Sequence, residues 1–163
     1  MEILDIVDNT NTVIGQATKD DIYSKKYDHR IIHVLVKNSA GHLLLQLRSK
    51  NKRFCSGFWC TSASGHVMSG ESYEAAAKRE LLEEIGVFSS LILVDHYVYQ
   101  DPRGMKKFIA LFETLSDGLF TVAPEEVEKV DFFSLEKIKK MISDGEKLSP
   151  ELLFILNQRY LKI

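Results

Sequence analysis

The segment GHVMSGESYEAAAKRELLEEIGV, residues 65–87, carries the signals of one helix between two glycine-containing loops. Ser72 is a favourable N-cap, and the alanines that follow are strong helix formers. Gly86 stands where a residue in the left-handed conformation usually ends a helix. We therefore predict a helix that runs from about residue 72 to residue 85.

Three glutamates follow one another on this helix at i, i+3 and i+4, which places Glu80, Glu83 and Glu84 on one face. Two like charges at i, i+4 destabilise a helix by about 0.2–0.5 kcal/mol. One interpretation is a solvated face, since this is what runs of charge usually are. The other is a site for a hard divalent cation, because Mg²⁺ takes oxygen ligands and is typically held by carboxylates together with substrate phosphates.

The composition is that of an ordinary globular domain. The 163 residues, 45% hydrophobic and 27% charged, predict a single domain, residues 1–163, with a real core. The formal net charge of −2 gives no support to nucleic-acid binding, so we expect no stable nucleic-acid partner. Without a signal peptide, a transmembrane stretch or a disulfide framework, the chain is expected in the cytoplasm, with no membrane partner.

Apolar runs separated by turn signals predict several strands, with helices packed on a mixed sheet. Residues 2–18 read as a hairpin added before the core, either to cover an edge strand or to contribute to a homodimer contact. The polar stretch 18–30 is predicted to be a connection, and residues 57–67 to contain one short strand. Two helices end the chain, the last one capped by Ser149 with Pro150 at its first position.

The spacing within residues 65–87 resembles, without departure, the signature of the Nudix hydrolases. That signature is a glycine, five residues, a glutamate, seven residues, Arg-Glu, an apolar residue, any residue, Glu-Glu, any residue, a glycine and an apolar residue. A chance match at a given position has a probability of roughly one in 10⁹. The resemblance implies an α/β fold, a Nudix-type α/β/α sandwich with a central mixed β-sheet, here with an N-terminal β-hairpin.

The resemblance also implies roles for individual residues. The family hydrolyses a phosphoanhydride bond in a nucleoside diphosphate linked to another group, or in a related small-molecule diphosphate, with Mg²⁺ or Mn²⁺ as cofactor. The metal ligands and catalytic residues that it implies here are Gly65, Glu80, Glu83 and Glu84. Either Glu83 or Glu84 would take a proton from the attacking water or orient it. Glu71 and Arg79 correspond to an ion pair that holds the motif together.

Outside the motif, residues 29–49 and 57–66 resemble isopentenyl-diphosphate isomerase and its bacterial hydrolase-like relatives. That enzyme uses a cysteine immediately before the Gly-His pair, where this chain has Ser64. Cys60 lies four residues earlier, roughly 13 Å away if both residues share one strand. The isomerase also uses a glutamate on the strand after the helix, where the best alignment places Lys107 or a neighbour, and no acidic residue lies between Arg103 and Phe112.

The isomerase needs several histidines for its metal, and this chain matches only some of them. His29 and His66 match two, and the position of a third falls near Tyr23 or Ile22. The complete hydrolase signature therefore favours the hydrolase. The alternatives are an isomerase-type enzyme and a binding module that kept the fold without the chemistry.

A basic loop beside aromatic residues is a candidate for holding the substrate, because basic side chains bind phosphates and aromatic rings stack on bases. Arg103, in the DPRG turn, is a further candidate, although turn chemistry alone explains that segment. The candidate substrate-binding residues are Arg48, Lys52, Arg53 and His66. The candidates for an additional carboxylate outside the motif are Glu125, Glu126, Glu128 and Asp131.

Overall fold

The computed structural model describes residues 1–161, so the last two residues of the predicted domain lie outside the described part. The strands in chain order are β1 (Ile3–Val7), β2 (Val13–Thr18), β3 (His29–Lys37), β4 (Leu43–Arg48), β5 (Trp59–Cys60), β6 (Ala63–His66), β7 (Ile92–Gln100), β8 (Lys106–Leu115) and β9 (Val127–Phe133). The helices are α1 (Lys19–Lys25), α2 (Tyr73–Ile85), α3 (Leu135–Ser143) and α4 (Pro150–Ile155), which continues into a π-helical turn (Leu156–Tyr160).

The larger sheet is mixed and is built around β3. Its strand order is β5-β4-β3-β8-β7, with β6 paired to β3 and β9 paired to β4. β3 runs parallel to β8, and its other pairings are antiparallel. β3 and β4 pair only at Lys37 and Leu43 and then separate. Beyond that point, β6 rather than β4 pairs with β3, and β9 pairs along β4. The two halves of the sheet diverge from that point.

Helices cover both faces of this sheet, which confirms the predicted α/β/α sandwich. On one face, Ile32 and Val34 of β3 pack in a buried cluster with Leu81 and Ile85 of α2. On the other, strand residues pack in a second cluster with side chains of α3 and α4, which include Leu152. Burial on both faces explains why β3 is a nearly continuous apolar run rather than an alternating one.

The N-terminal hairpin forms a sheet of its own, and its prediction is confirmed. It packs on the loop between β6 and α2 rather than along an edge strand of the larger sheet. Leu4 forms a bridge with Met68, and the Ser69 amide donates to the carbonyl oxygen of Ile3 at 2.8 Å. A small core that contains Leu4 and Ile22 lies beneath it. The hairpin is therefore attached to the motif loop.

The prediction that residues 18–30 only connect is wrong, because they contain α1. The hydroxyl of Thr18 accepts the amide hydrogen of Asp21, and Lys26 ends the helix in the left-handed conformation with φ of 59°. Ile22 is the buried residue of this short helix. With one buried position, the segment lacks the apolar periodicity that identifies an amphipathic helix in a sequence.

Residues 57–67 contain two strands, β5 and β6, where one was predicted. Cys60 and Ser64 therefore lie on different strands, and the 13 Å spacing expected for one continuous strand does not apply to them. The cap of the last helix is confirmed, since the Ser149 hydroxyl accepts the Leu152 amide and Pro150 stands at the first position. Within residues 1–161, no helix has the length and apolar character needed to cross a membrane.

Candidate active site

Helix α2 begins and ends at the residues that the sequence predicts. The Ser72 hydroxyl accepts the amide hydrogen of Ala75 at 3.1 Å, and Gly86 adopts the left-handed conformation with φ of 70°. Leu81 and Ile85 are fully buried against the sheet. Their burial fixes the rotation of the helix, and the carboxylates on the adjoining face line a cavity.

This cavity has a volume of about 490 Å³ and is lined by strands on both sides of the point where the sheet divides. We name two parts of its lining by the elements that supply them. The motif wall, which comes from β6 and α2, consists of Ser64, Gly65, Glu80, Glu83 and Glu84. The far wall, which comes from α1, from the β7–β8 hairpin and from α4, consists of Tyr23, Tyr99, Arg103, Lys107 and Glu151.

Glu84 is the most deeply buried of the three motif glutamates, with 3% of its surface exposed. Its carboxylate accepts the Ser64 amide hydrogen at 2.8 Å and a hydrogen from the Gln46 side chain at 3.1 Å. Burial raises the pKa of Glu84 to about 8, and the charge of Glu80 adds to the shift, while the hydrogen bonds oppose it. Glu84 therefore loses its proton only at a higher pH than an ordinary glutamate, unless a nearby positive charge lowers its pKa again.

Glu80 lies against the backbone of Gly65. A Cβ atom at Gly65 would overlap the Glu80 carboxylate, so only glycine leaves room for it. Arg79 donates to Glu80 at 2.8 Å. Burial raises the pKa of Glu80 to about 7, with Arg79 opposing the shift and the charge of Glu83 adding to it.

Arg79 and Glu71 join the motif loop to the helix. The guanidinium donates to both oxygens of Glu71, at 2.8 and 3.0 Å, and to the carbonyl oxygen of His66 at 3.1 Å. Glu71 also accepts the Met68 amide hydrogen at 3.0 Å. Burial would raise the pKa of Glu71, but the hydrogen bonds from Arg79 and Met68 lower it. This bidentate pair matches the supporting role implied by the resemblance.

Glu83 differs from its two neighbours because 59% of its side chain is exposed, with Arg79 at 3.5 Å. Among residues 1–161, no three His, Cys, Asp or Glu side chains converge as a metal site, since Glu80 and Glu84 are bonded to protein groups. The donor set nevertheless fits a hard divalent cation. Three carboxylates line one cavity, and burial and mutual repulsion raise the pKa of two of them.

The candidate substrate residues divide into two groups. Arg48, Lys52 and His66 line the cavity, whereas Arg53 lies outside the lining formed by the described residues, with its guanidinium 5.7 Å from the ring centre of Phe54. Among the candidates for an additional carboxylate, the one that lines the cavity is Glu126, which pairs with the Lys52 ammonium at 2.7 Å. The candidates outside the lining are Glu125, Glu128 and Asp131.

Two histidines stand beside Tyr23, of which His29 is buried and His66 is partly buried. The Tyr23 hydroxyl lies 2.7 Å from His66 Nε2. Burial lowers the pKa of His66 well below its ordinary value and that of His29 to about 4, so both rings are neutral at pH 7. His29 Nδ1 donates to the carbonyl oxygen of Tyr27 at 3.0 Å, and among residues 1–161 its Nε2 has no hydrogen-bond partner.

Sequence reasoning missed most of the far wall. Glu151 sits in the first turn of α4, where an acidic residue is ordinary and signals nothing about a cavity. Lys107 does carry a signal, because it shares a strand face with Ile109 and Leu111 and is a charge on an apolar face. Glu2, just before β1, and Lys19, the first residue of α1, also line the cavity and pair at 3.3 Å, and no motif points to them.

Comparison with known proteins identifies the family of this chain. The model of the NUDIX domain family matches residues 27–152. An uncharacterised Nudix hydrolase of Yersinia pestis is 33% identical over 85% of this chain and 76% of its own length. Isopentenyl-diphosphate Delta-isomerase 2 of Photorhabdus laumondii is 34% identical over 88% of this chain and 84% of its own length. The crystal structure of DR0079 from Deinococcus radiodurans superposes with a TM-score of 0.86 and 26% identity, and covers 98% of this chain and 99% of that one. The chain therefore belongs to the Nudix hydrolase family, and its Nudix hydrolase relatives support an enzyme that acts on acid anhydrides.

Proposed function

We propose that the protein hydrolyses a phosphoanhydride bond in a nucleoside diphosphate linked to another group, or in a related diphosphate, with Mg²⁺ or Mn²⁺ as cofactor. The observation that carries this proposal is the motif wall. There, three carboxylates line one cavity, and Glu80 and Glu84 have raised pKa values that a cation would lower. The residues that would hold the cation are Glu80, Glu83 and Glu84 with the carbonyl oxygen of Gly65.

A divalent cation supplies positive charge to the phosphate oxygens there and lowers the pKa of the attacking water. The chain itself contributes positioning and proton transfer, which dominate phosphoryl-type reactions. Water adds to one phosphorus, the anhydride P–O bond breaks, and a phosphate-bearing group leaves. Glu83 or Glu84 accepts the proton of that water, and Arg48 at the cavity wall binds a phosphate oxygen.

The isomerase is the second candidate, because one isomerase is 34% identical over most of this chain. Its chemistry needs an acid that moves a proton to and from carbon, and Ser64 stands where that enzyme has its cysteine. Cys60 also lines the cavity, but burial raises the pKa of its thiol to about 12. A thiol with that pKa is a poor substitute, so these residues favour hydrolysis.

The isomerase's additional residues are not reproduced either. Lys107 or a neighbour occupies the position that the alignment assigns to its glutamate, and the third histidine position falls near Tyr23 or Ile22. Of those two, Tyr23 lines the cavity. Burial raises the pKa of the Tyr23 phenol, which therefore stays protonated and is a poor metal ligand at neutral pH. The Tyr23, His29 and His66 group thus offers two imidazoles, and within residues 1–161 neither is hydrogen-bonded to a carboxylate.

We also propose that residues 1–163 act as one domain in the cytoplasm. Both cysteines, Cys55 and Cys60, are free thiols, which suits a reducing compartment. The small-molecule diphosphate is the expected partner, and a homodimer remains a prediction. A concentration series in analytical ultracentrifugation measures the oligomeric state directly.

The test is a panel of diphosphates that includes isopentenyl diphosphate, incubated with Mg²⁺ and scored for phosphate-bearing products and for dimethylallyl diphosphate. We expect hydrolysis of at least one member, and a loss on the order of 10² or more in kcat for Glu83→Gln. The matched control is Glu74→Gln, which removes an exposed carboxylate of the same helix that pairs with Lys78 at 2.7 Å.

Each result of the panel has a distinct meaning. Full activity in Glu83→Gln would remove the motif wall from the mechanism. Formation of dimethylallyl diphosphate would replace the hydrolase with the isomerase. If a compound binds but no compound is hydrolysed, either with or without Mg²⁺, the result would favour a binding module.

A further inference from the structure

The far wall contains a partly buried ion pair that the proposed mechanism does not use. The Lys107 ammonium lies 2.6 Å from the Glu151 carboxylate, and the two side chains are 12% and 23% exposed. Both residues line the cavity. Because the desolvation of two charges largely offsets their attraction, such a pair adds little stability compared with apolar packing. Its position at a cavity wall suggests a role in recognition.

Protein contacts hold this pair in place and leave part of it free. Glu151 also accepts from His33 Nε2 at 3.1 Å, and His33 Nδ1 lies 2.7 Å from the Thr61 hydroxyl. The ammonium of Lys107 lies 5.5 Å from the ring centre of Tyr23. An ammonium has three N–H donors, and a carboxylate has about four acceptor sites. The pair therefore presents a donor and an acceptor side by side toward the cavity.

A second pair of the same kind lies next to it. Arg103 donates to the Asp101 carboxylate at 2.8 Å, its guanidinium lies 5.6 Å from the Tyr23 ring centre, and both charged residues line the cavity. The ring of Tyr99 lines the same region. The far wall thus combines aromatic surface with charges that are already balanced in pairs.

Within the described part of the chain, the positively charged side chains of the far wall are paired with carboxylates, whereas Arg48 is not. Arg48 donates from Nε to the carbonyl oxygen of Phe54 and takes part in none of the ion pairs formed among residues 1–161. Its charge is available to a phosphate. A phosphate placed against Lys107 and Arg103 would instead meet the negative charges of Glu151 and Asp101. The far wall is therefore unsuited to an additional phosphate group.

A hydrocarbon chain fits no better. It would remove water from the donors and acceptors of the Lys107–Glu151 pair and leave them without partners, which is costly. A hydroxyl group both donates and accepts, so it satisfies Lys107 and Glu151 together. Ring C–H groups between the hydroxyls can pack on the faces of Tyr23 and Tyr99.

We propose that Lys107 and Glu151 are specificity-determining residues that bind hydroxyl groups of a sugar ring attached to the diphosphate. This inference rests on the proposed function and narrows its substrate class to sugar-bearing diphosphates. For a nucleoside diphosphate hexose the reaction balances simply. Water adds to one phosphorus, the P–O–P bond breaks, and the products are a nucleoside monophosphate and a hexose phosphate.

The test compares substrates that share one diphosphate and differ in hydroxyl groups. The compounds are UDP-glucose, the methyl ester of UDP, and the UDP-glucose analogue with a 2′,3′-dideoxyribose. The methyl ester lacks the hexose and the dideoxy analogue lacks the ribose hydroxyls, so together they identify which ring the far wall binds. We expect one of the two changes to lower kcat/KM of the wild-type protein by at least about tenfold.

Lys107→Met and Glu151→Gln should each lower kcat/KM for UDP-glucose by about tenfold or more and should reduce the discrimination among the three compounds. The matched control is Lys37→Met, which breaks a partly buried ion pair with Glu113, at 3.0 Å, outside the described cavity lining. Lys37→Met should leave the ratios of kcat/KM among the three compounds unchanged. Thermal unfolding of each variant checks that it folds.

Calorimetric titration of the same compounds into the Glu83→Gln protein with Mg²⁺ measures the preference even where nothing is hydrolysed. A tighter Kd for the hydroxyl-bearing compound, lost in the Glu83→Gln, Lys107→Met double variant, supports the inference. Equal Kd values would overturn it, as would variants that slow all three compounds by one common factor, because that is the effect of a purely structural pair. Absence of hydrolysis across the whole diphosphate panel would instead count against the proposed function.

Discussion

The two walls of the cavity differ in how the chain assembles them. The motif wall comes from one continuous stretch, residues 64–84, in which a strand, a loop and a helix follow one another. The far wall is collected from separate segments of the chain, with Tyr23 in α1, Lys107 on β8 and Glu151 in α4. Local geometry is sufficient to build the first wall, whereas the second exists only when the whole sandwich has folded.

The walls also differ in charge. Glu84 is buried and Glu80 is partly buried, and desolvation is the largest cause that raises their pKa values to about 8 and about 7, so a positive charge near them would be favourable. On the far wall, Lys107 and Arg103 each have a carboxylate partner. An unbalanced wall attracts a cation and the chemistry that depends on it, and a balanced wall recognises neutral polar groups. The comparison separates catalysis from substrate choice.

The largest effect is expected from breaking the motif wall at Gly65. Gly65→Ala places a Cβ atom where the Glu80 carboxylate lies and displaces that carboxylate, so kcat should fall by about 10². Steady-state kinetics with the best substrate of the panel measures it. Gly15→Ala is the matched control, because a Cβ there would meet Ile6 at an ordinary 3.7 Å. Wild-type activity in Gly65→Ala would show that Glu80 has no fixed place in the reaction.

The pH dependence of stability tests the raised pKa values on the motif wall, which distinguish it from the paired charges of the far wall. A carboxyl with a pKa higher in the folded than in the unfolded chain holds its proton more tightly when folded, so stability is lost as the pH rises through that range. For Glu80 and Glu84, the range extends from the ordinary 4.5 to about 7 and about 8, respectively. Below about pH 6.5 the lowered pKa values of His29 and His66 act in the opposite direction, because neutral histidines favour the folded state as the pH rises. Without metal, Tm should therefore fall between pH 6.5 and pH 8 by on the order of 5 °C, or about 2 kcal/mol.

Calorimetry with and without Mg²⁺ provides the control for this pH effect. Mg²⁺ should raise Tm more at pH 8 than at pH 5, because ionised carboxylates bind it and the bound ion removes their repulsion. Glu84→Gln should flatten the metal-free profile, since its side chain does not titrate. A metal-free Tm that rises between pH 6.5 and pH 8 would contradict the assignment.

The smallest expected effect is a difference in KM between variants of two arginines of the basic loop. Arg48→Ala should raise KM by about tenfold, because it removes a charge-assisted hydrogen bond to a phosphate. Arg53→Ala should leave KM unchanged, since Arg53 is exposed and lies outside the described cavity lining. Equal changes in KM for the two variants would mean that the loop acts through its total charge, independently of the cavity.

Local signals explain why much of the fold was predictable. Ser72 and Gly86 delimit α2 because capping depends on residues within one turn of the helix end. The turn at residues 101–104 and the cap at Ser149 follow from equally short-range chemistry. α1 was not predicted because Thr18 alone is a weak capping signal and Ile22 is the single buried residue of the helix. One buried position gives no apolar periodicity.

The sequence by itself determined the motif wall, because its three glutamates lie at fixed offsets on one helix and Ser64 and Gly65 lie on the strand shortly before it. Only the tertiary structure decided that Glu151 meets Lys107, since 44 residues separate them and α4 must first pack on the sheet. It also decided that Glu84 is buried while Glu83 is exposed, although the two are adjacent in the chain. Spacing along a helix is set by backbone geometry, but burial and long-range pairing depend on how separate elements pack together.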